Sequence, residues 1–259
     1  MLSDFFLLQL ILSFTVGGVI VSLSILLAEK FGPNLGAIIL SLPTTSFVAF
    51  FFIGLTNSAV FVSSVVPFSI VAMAIYLVFL TIFILLCEKF GKVALLFAIL
   101  SWFVLAYFVL KLPIPDLTIS LLSFLLVYAL VNVYFKGKSY PVKQVKKNNT
   151  VLTFLLRSIF SGLVICTSVF LSKTSGPEWG GLFAMFPATT ISSYAIFSTS
   201  YKKEFVLSVA TKMLPFSLVI VSYSVFVYFL YPVFGIYEGT IISYALAIVF
   251  SYVLNRIVK

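Results

Sequence analysis

Gly176-Pro-Glu-Trp-Gly-Gly-Leu-Phe-Ala-Met-Phe-Pro-Ala-Thr-Thr190 decides the fold, because the chain carries this stretch twice. Its twin is Gly32-Pro-Asn-Leu-Gly-Ala-Ile-Ile-Leu-Ser-Leu-Pro-Thr-Thr-Ser46. A constant offset of 144 residues pairs Gly32 with Gly176, Pro33 with Pro177, Gly36 with Gly180, Pro43 with Pro187 and Thr45 with Thr189. All of these identities are Gly, Pro or Thr, residues that an apolar chain does not repeat in register by accident. A second signature follows each copy, Pro67-Phe-Ser69 and Pro215-Phe-Ser217, offset by 148. A repeat of this length sets the architecture before any single helix is drawn.

The composition fixes the solvent. The chain is 62% hydrophobic and 9% charged, with a mean hydropathy of +1.24. A soluble domain of 259 residues has no interior large enough for that much apolar surface, so the chain belongs in lipid. The segment Leu2 to Leu27 lacks a basic start and a small-residue cleavage site, and reads as a span and not a signal peptide. There is no His, and Cys87 and Cys166 stand in separate apolar stretches with no disulfide framework or metal spacing. The net charge of +9 points to topology and to anionic headgroups at the cytoplasmic face, and not to nucleic acid.

Each apolar run of about 20 residues must carry its own backbone hydrogen bonds across the hydrocarbon. The sequence predicts an all-α polytopic membrane protein with nine such runs, near 5–28, 35–55, 58–87, 91–111, 117–135, 151–172, 180–200, 204–232 and 238–257. The hydrophilic stretch Lys136-Gly-Lys-Ser-Tyr-Pro-Val-Lys-Gln-Val-Lys-Lys147 is placed in the cytoplasm, and alternation then brings Lys30, Lys89, Lys92, Lys202, Lys203, Arg256 and Lys259 to the same side. Only Lys111 and Lys173 fall outside. This bias predicts an N-terminus outside and a C-terminus inside a plasma or inner membrane.

Spans 1, 2 and 3 then correspond to spans 6, 7 and 8. Ser120 with Ser243 and Asn132 with Asn255, at offset 123, pair span 5 with span 9 and make the span near 91–111 an insertion. The predicted domains are a first repeat over 1–135, a basic linker over 136–150 and a second repeat over 151–259. An odd number of spans in the first half turns the second upside down, the inverted-topology arrangement of many transporters.

Gly181-Leu-Phe-Ala-Met-Phe-Pro187, hydroxyl residues just beyond it and the span opening near Met213-Leu-Pro-Phe-Ser217 resemble the GlpM family and related small membrane proteins of unknown function. The likeness covers roughly one half of the chain at a time and rests on a Gly-Leu-x-x-x-Phe-Pro core before an apolar span. The resemblance implies four-span bundles that pair antiparallel. It implies no substrate.

Pro43 and Pro187 fall roughly mid-span. Each removes one backbone donor and frees carbonyls one turn earlier, and in lipid those groups need a neighbour, water or a ligand. Thr44, Thr45 and Ser46 follow the first proline, and Thr189, Thr190 and Ser192 the second. The bland reading is a proline kink with hydroxyls bonded back to their own helix. The functional reading is a polar site at the repeat interface, with Pro43, Thr44, Thr45, Pro187, Thr189 and Thr190 as its substrate-binding residues. Arg157 and Lys212 lie inside spans, each about 10 Å below the cytoplasmic boundary. They either snorkel to headgroups or face inward and favour an anionic solute.

The Gly-Pro pairs read as tight interhelical corners, and Gly17, Gly18, Gly36, Gly162, Gly180 and Gly181 as sites of close helix contact. The acidic residues Asp4, Glu29, Glu88, Asp116, Glu178, Glu204 and Glu238 all stand near span ends, so no carboxylate or His relay crosses the midplane. No buried carboxylate pair and no Cys/His or Ser/His/Asp set is present, and no particular serine is marked as a partner for Lys212 in a Ser/Lys dyad, which predicts neither an enzyme nor a cofactor. The expected function is a carrier of a small ion or polar or anionic solute. An ion channel and a non-transporting lipid-handling or structural protein are the rivals, and a homo-oligomer is left open.

Overall fold

The computed structural model describes residues 4–91, 93–111, 113, 115–138, 151–192, 194 and 203–257. Most of the basic linker, residues 139–150, lies outside the described residues, as do the side chains around the first Gly-Pro pair and that of Lys212.

Among the described residues the chain forms eight long or well-defined helices: α1 Asp4–Ser41, α2 Thr44–Thr56, α3 Ala59–Phe90, α4 Val93–Val109, α5 Leu117–Phe135, α6 Val151–Thr174, α7 Pro177–Ala184 and α8 Lys203–Ile257. A shorter helical stretch occupies 188–192. Among the described residues, five helical segments are long and apolar enough to cross a membrane: Asp4–Leu27, Ala59–Phe90, Leu117–Phe135, Phe154–Thr174 and Met213–Ile257. By length and composition this is a helical membrane protein. Leu8, Phe97, Phe108, Leu122, Leu126 and Leu130 are exposed, as side chains that meet lipid should be.

The local signals act as elementary rules require. Ser58 caps α3 by accepting from Phe61 N–H, and Asp116 caps α5 by accepting from Ile119 N–H. Gly176 at φ 105° ends the turn after α6, and Pro177 opens α7 at its first position. The second Gly-Pro pair is therefore the corner expected of it. The first has no separate turn, since α1 is helical from Asp4 through Ser41, but the chain still reverses within α1, because Gln9 near its start bonds the Leu55 carbonyl near the end of α2, beyond the reach of a straight helix.

Three further turns carry glycine at positive φ, that of Gly137 at φ 80° after α5 among them. Gly91, at φ 56°, separates α3 from α4, and Gly235, at φ 76°, divides α8 into arms over 203–234 and 236–257. Gly91 and Gly235 are 144 residues apart, the same offset that relates the Gly-Pro-Thr stretches.

α3 is the centre of the bundle and packs against α4, α5, α7 and α8. α1 lies along α6. A Cβ on Gly18 would stand 2.4 Å from the Ser158 carbonyl oxygen, and one on Gly162 would stand 2.4 Å from that of Phe14. Since 18 and 162 differ by 144, as do 14 and 158, these two contacts are mirror statements of each other. Rising residue numbers on α1 meet falling numbers on α6, so the two helices run antiparallel. A side chain at either glycine would push the backbones apart, which is why the closest crossing falls there.

Candidate functional site: two broken helices that meet

The two prolines break the chain in the same way. After Pro43, Thr44 N–H bonds the Leu42 carbonyl at 2.8 Å and Phe47 N–H bonds the Pro43 carbonyl at 2.7 Å. After Pro187, Ala188 N–H bonds the Phe186 carbonyl at 2.7 Å and Ile191 N–H bonds the Pro187 carbonyl at 2.8 Å. Every atom of one set has its counterpart 144 residues on. Proline lacks the donor that would carry the preceding helix through, so the helix ends and a new one starts one residue later. The stretches predicted near 35–55 and 180–200 are thus each interrupted at their proline, and residues 193 and 195–200 of the second lie outside the described residues. A helix that starts at such a break opens with amides that have no intrahelical acceptor, here those of Thr45 and Ser46 and of Thr189 and Thr190.

The breaks come together. Ser46 Oγ donates to Met185 Sδ at 3.2 Å, joining the first turn after one break to the first residue of the other. The hydroxyls of Thr190 and Tyr76 are 2.9 Å apart, so α3 supplies a partner from beneath. Pro43, Pro187, Ser46 and Thr190 are buried, and Thr44, Thr45 and Thr189 are half-buried. Trp102 of α4 closes one side, with its ring 4.8 Å from that of Phe186 and 6.0 Å from that of Phe183. Gly181 lets α7 approach α3 beside Pro67: a Cβ there would stand 2.5 Å from the Val65 carbonyl oxygen.

The expected site residues Pro43, Thr44, Thr45, Pro187, Thr189 and Thr190 lie at or within three residues of the two breaks, and the bonds that link elements there are those of Ser46 with Met185 and of Thr190 with Tyr76. Arg157 is only 3% exposed and faces the protein interior instead of lipid. It stands on α6 next to Ser158, whose carbonyl meets Gly18 at the α1 crossing. Met185 and Tyr76 were not expected. Tyr76 had a signal, as a hydroxyl in the middle of the long apolar span behind Pro67. Met185 had none, since a thioether in an apolar run reads as bulk.

Polar groups also gather at the far end of α2. Gln9 Nε2 donates to the Leu55 carbonyl and Lys173 Nζ to the Thr56 carbonyl, both at 2.9 Å. Asn57 Nδ2 donates to the Ile53 carbonyl at 3.1 Å. These bonds satisfy carbonyls that the helix end leaves free, and the lysine complements the negative end of the helix dipole. Among the described residues no group of three or more His, Cys, Asp or Glu is placed to hold a metal.

Residues 10–113 match a family model described as a protein of unknown function (DUF3147). The match takes in most of α1 and all of α2, α3 and α4, which is less than half of the chain, and it carries neither the GlpM name nor the duplication. No curated protein and no solved structure matches the chain.

Proposed function

We propose that this chain is a secondary carrier in a plasma or inner membrane, with its substrate site where the two proline breaks meet. The hydrogen bond from Ser46 to Met185 carries this reading. Two interruptions that were only separate kinks would have no reason to touch. Half-helix ends that meet within an inverted repeat are the arrangement that carriers use to hold a solute near the midplane.

In this reading nine segments cross the bilayer, with the N-terminus outside and the C-terminus in the cytoplasm. Two four-span units are related by an in-plane pseudo-two-fold axis through the α1–α6 crossing. The extra span moves from the stretch near 91–111 to α5. Two observations support that shift: Gly91 and Gly235 turn the chain at equivalent places, and the family match takes in α4 and stops before α5. The pairing of Ser120 with Ser243 is then coincidental, and α5 is the odd crossing that inverts the second half.

The substrate is a small anion or a solute with an anionic group. First-turn amides of α2 lend the junction partial positive charge, and no carboxylate is among the residues named there. Lys212, whose side chain lies outside the described residues, is proposed with Arg157 to raise the potential on the cytoplasmic side. No covalent chemistry or cofactor is needed. Lys89, Lys136, Lys138 and Arg256 are exposed at helix ends and hold the cytoplasmic face to anionic headgroups.

Purified protein in liposomes, offered inorganic anions and small carboxylates with and without a Na⁺ gradient, tests the proposal. Saturable uptake by the native chain that disappears in Thr45→Val with Thr189→Val, while the protein still elutes as a folded species, is the expected result. Undiminished uptake in that double variant removes the site assignment. Unsaturable flux turns the reading to a channel, and no flux for any solute turns it to a structural role.

A further inference from the structure

The two arms of α8 fold back on each other across Gly235 and enclose a seam of hydroxyl groups. Gly239 permits the close approach, since a Cβ there would come within 2.9 Å of the Tyr231 ring. Tyr231 and Thr240 face each other with their hydroxyl oxygens 2.6 Å apart. Thr240 already donates its only proton to the Ile236 carbonyl, so Tyr231 donates to Thr240 and keeps acceptor capacity of its own.

Two more hydroxyls are stranded in the same hairpin. Tyr223 Oη and Ser243 Oγ are fully buried at 0% exposure and complete no hydrogen bond within the protein. The Tyr223 hydroxyl lies beside that of Tyr231, close enough to interact with it but outside good hydrogen-bond geometry. Ser243 follows Thr240 by one turn, on the same buried face of the second arm. Two donors and a spare acceptor thus share one dry seam. Buried polar groups of this kind are almost always satisfied, and in a membrane no bulk water reaches them.

We propose that the seam is a binding site for one ordered water molecule, which accepts from Tyr223 and Ser243 and donates to Tyr231. Three partners are what a buried water ordinarily has. The residues that form the seam are hydroxyls and rings without a counter-charge, which disfavours an ion. The ring of Tyr223 is stacked on Phe50 of α2 and edge-on to Tyr244, each 6.1 Å away, and leaves no slack for a larger solute. The water pins the last two spans to each other and, through Phe50, to α2, independently of what the proline junction binds.

Thermal unfolding of the full-length protein in detergent separates the possibilities by sign. A stranded hydroxyl is a liability, so Tyr223→Phe and Ser243→Ala would each raise the midpoint if nothing bridged them. A bridging water predicts that each variant lowers it, by about 3 °C for a chain of this size. The double variant should lose little more than the worse single one, because the first deletion already removes the shared partner. A raised or unchanged midpoint in both single variants overturns the proposal. Fully additive losses also overturn it, since the two hydroxyls would then have separate partners.

Discussion

Lys173 is the residue that a charge count misjudges and a hydrogen bond explains. The charge count sets it against the bias of the other basic residues, and its amine donates to the Thr56 carbonyl at the end of α2. Lys173→Met should lower stability by about 0.5 kcal/mol, the size of a partly screened charge at a helix terminus. Thermal unfolding at low and high salt checks it, since the loss should shrink as salt rises. Burial decides the opposite case of Tyr76 and Thr190. Their 2.9 Å hydrogen bond is fully enclosed, so Tyr76→Phe and Thr190→Val should each cost about 1 kcal/mol. Their double variant should cost less than the sum, and a double-mutant cycle that finds strict additivity would falsify the pairing.

At the scale of elements, the apolar lengths and the punctuation were legible in the sequence, and the state of each proline was not. The runs near 58–87, 117–135 and 151–172 appear as α3, α5 and α6 within a few residues, because the length of a span is set by lipid thickness and needs no tertiary information. Four prolines in helical surroundings behave differently. Pro67 bends nothing open and stays inside α3. Pro43 and Pro187 end their helices, and Pro33 does not. The choice depends on what neighbours can satisfy the freed groups, and a linear sequence does not contain that. Positive-φ glycines are a sharper case. Gly91 has open space around its Cα and Gly235 almost so, so a substitution there meets strain of the backbone alone. Gly91→Ala and Gly235→Ala should each lose about 1–3 kcal/mol, with similar values, because both turns need a conformation that L side chains avoid. Chemical denaturation in mixed micelles is the measurement, and a loss in only one of them would break the equivalence of the two turns.

At the scale of the whole molecule, the sequence held one repeated stretch but no register for the last spans. Five identities in one stretch were enough to find the offset of 144, whereas a serine and an asparagine in apolar surroundings were too common to fix the offset of 123. Backbone geometry supplies the stronger link, since the Gly91 and Gly235 turns, the paired proline breaks and the α1–α6 crossing all keep the same spacing. The crossing offers the most direct test of the symmetry. Gly18 abuts the Ser158 carbonyl and Gly162 the Phe14 carbonyl, each with 2.4 Å available to a Cβ. Neither carbonyl can rotate away as a side chain can, so the helices must separate. Gly18→Leu and Gly162→Leu are therefore expected to destabilise alike, by more than about 2 kcal/mol. Gly17→Ala, whose Cβ would press on the flexible tip of Ile165, should be milder. The Gly18→Leu and Gly162→Leu double variant should lose less than the sum, because one bulky residue already opens the seam that the second would open. Unfolding midpoints for the four variants decide the matter. Equal losses with shared cost fit two halves that cross on an axis between them, and a silent change at either glycine would mean that the halves are joined by sequence without being joined by symmetry.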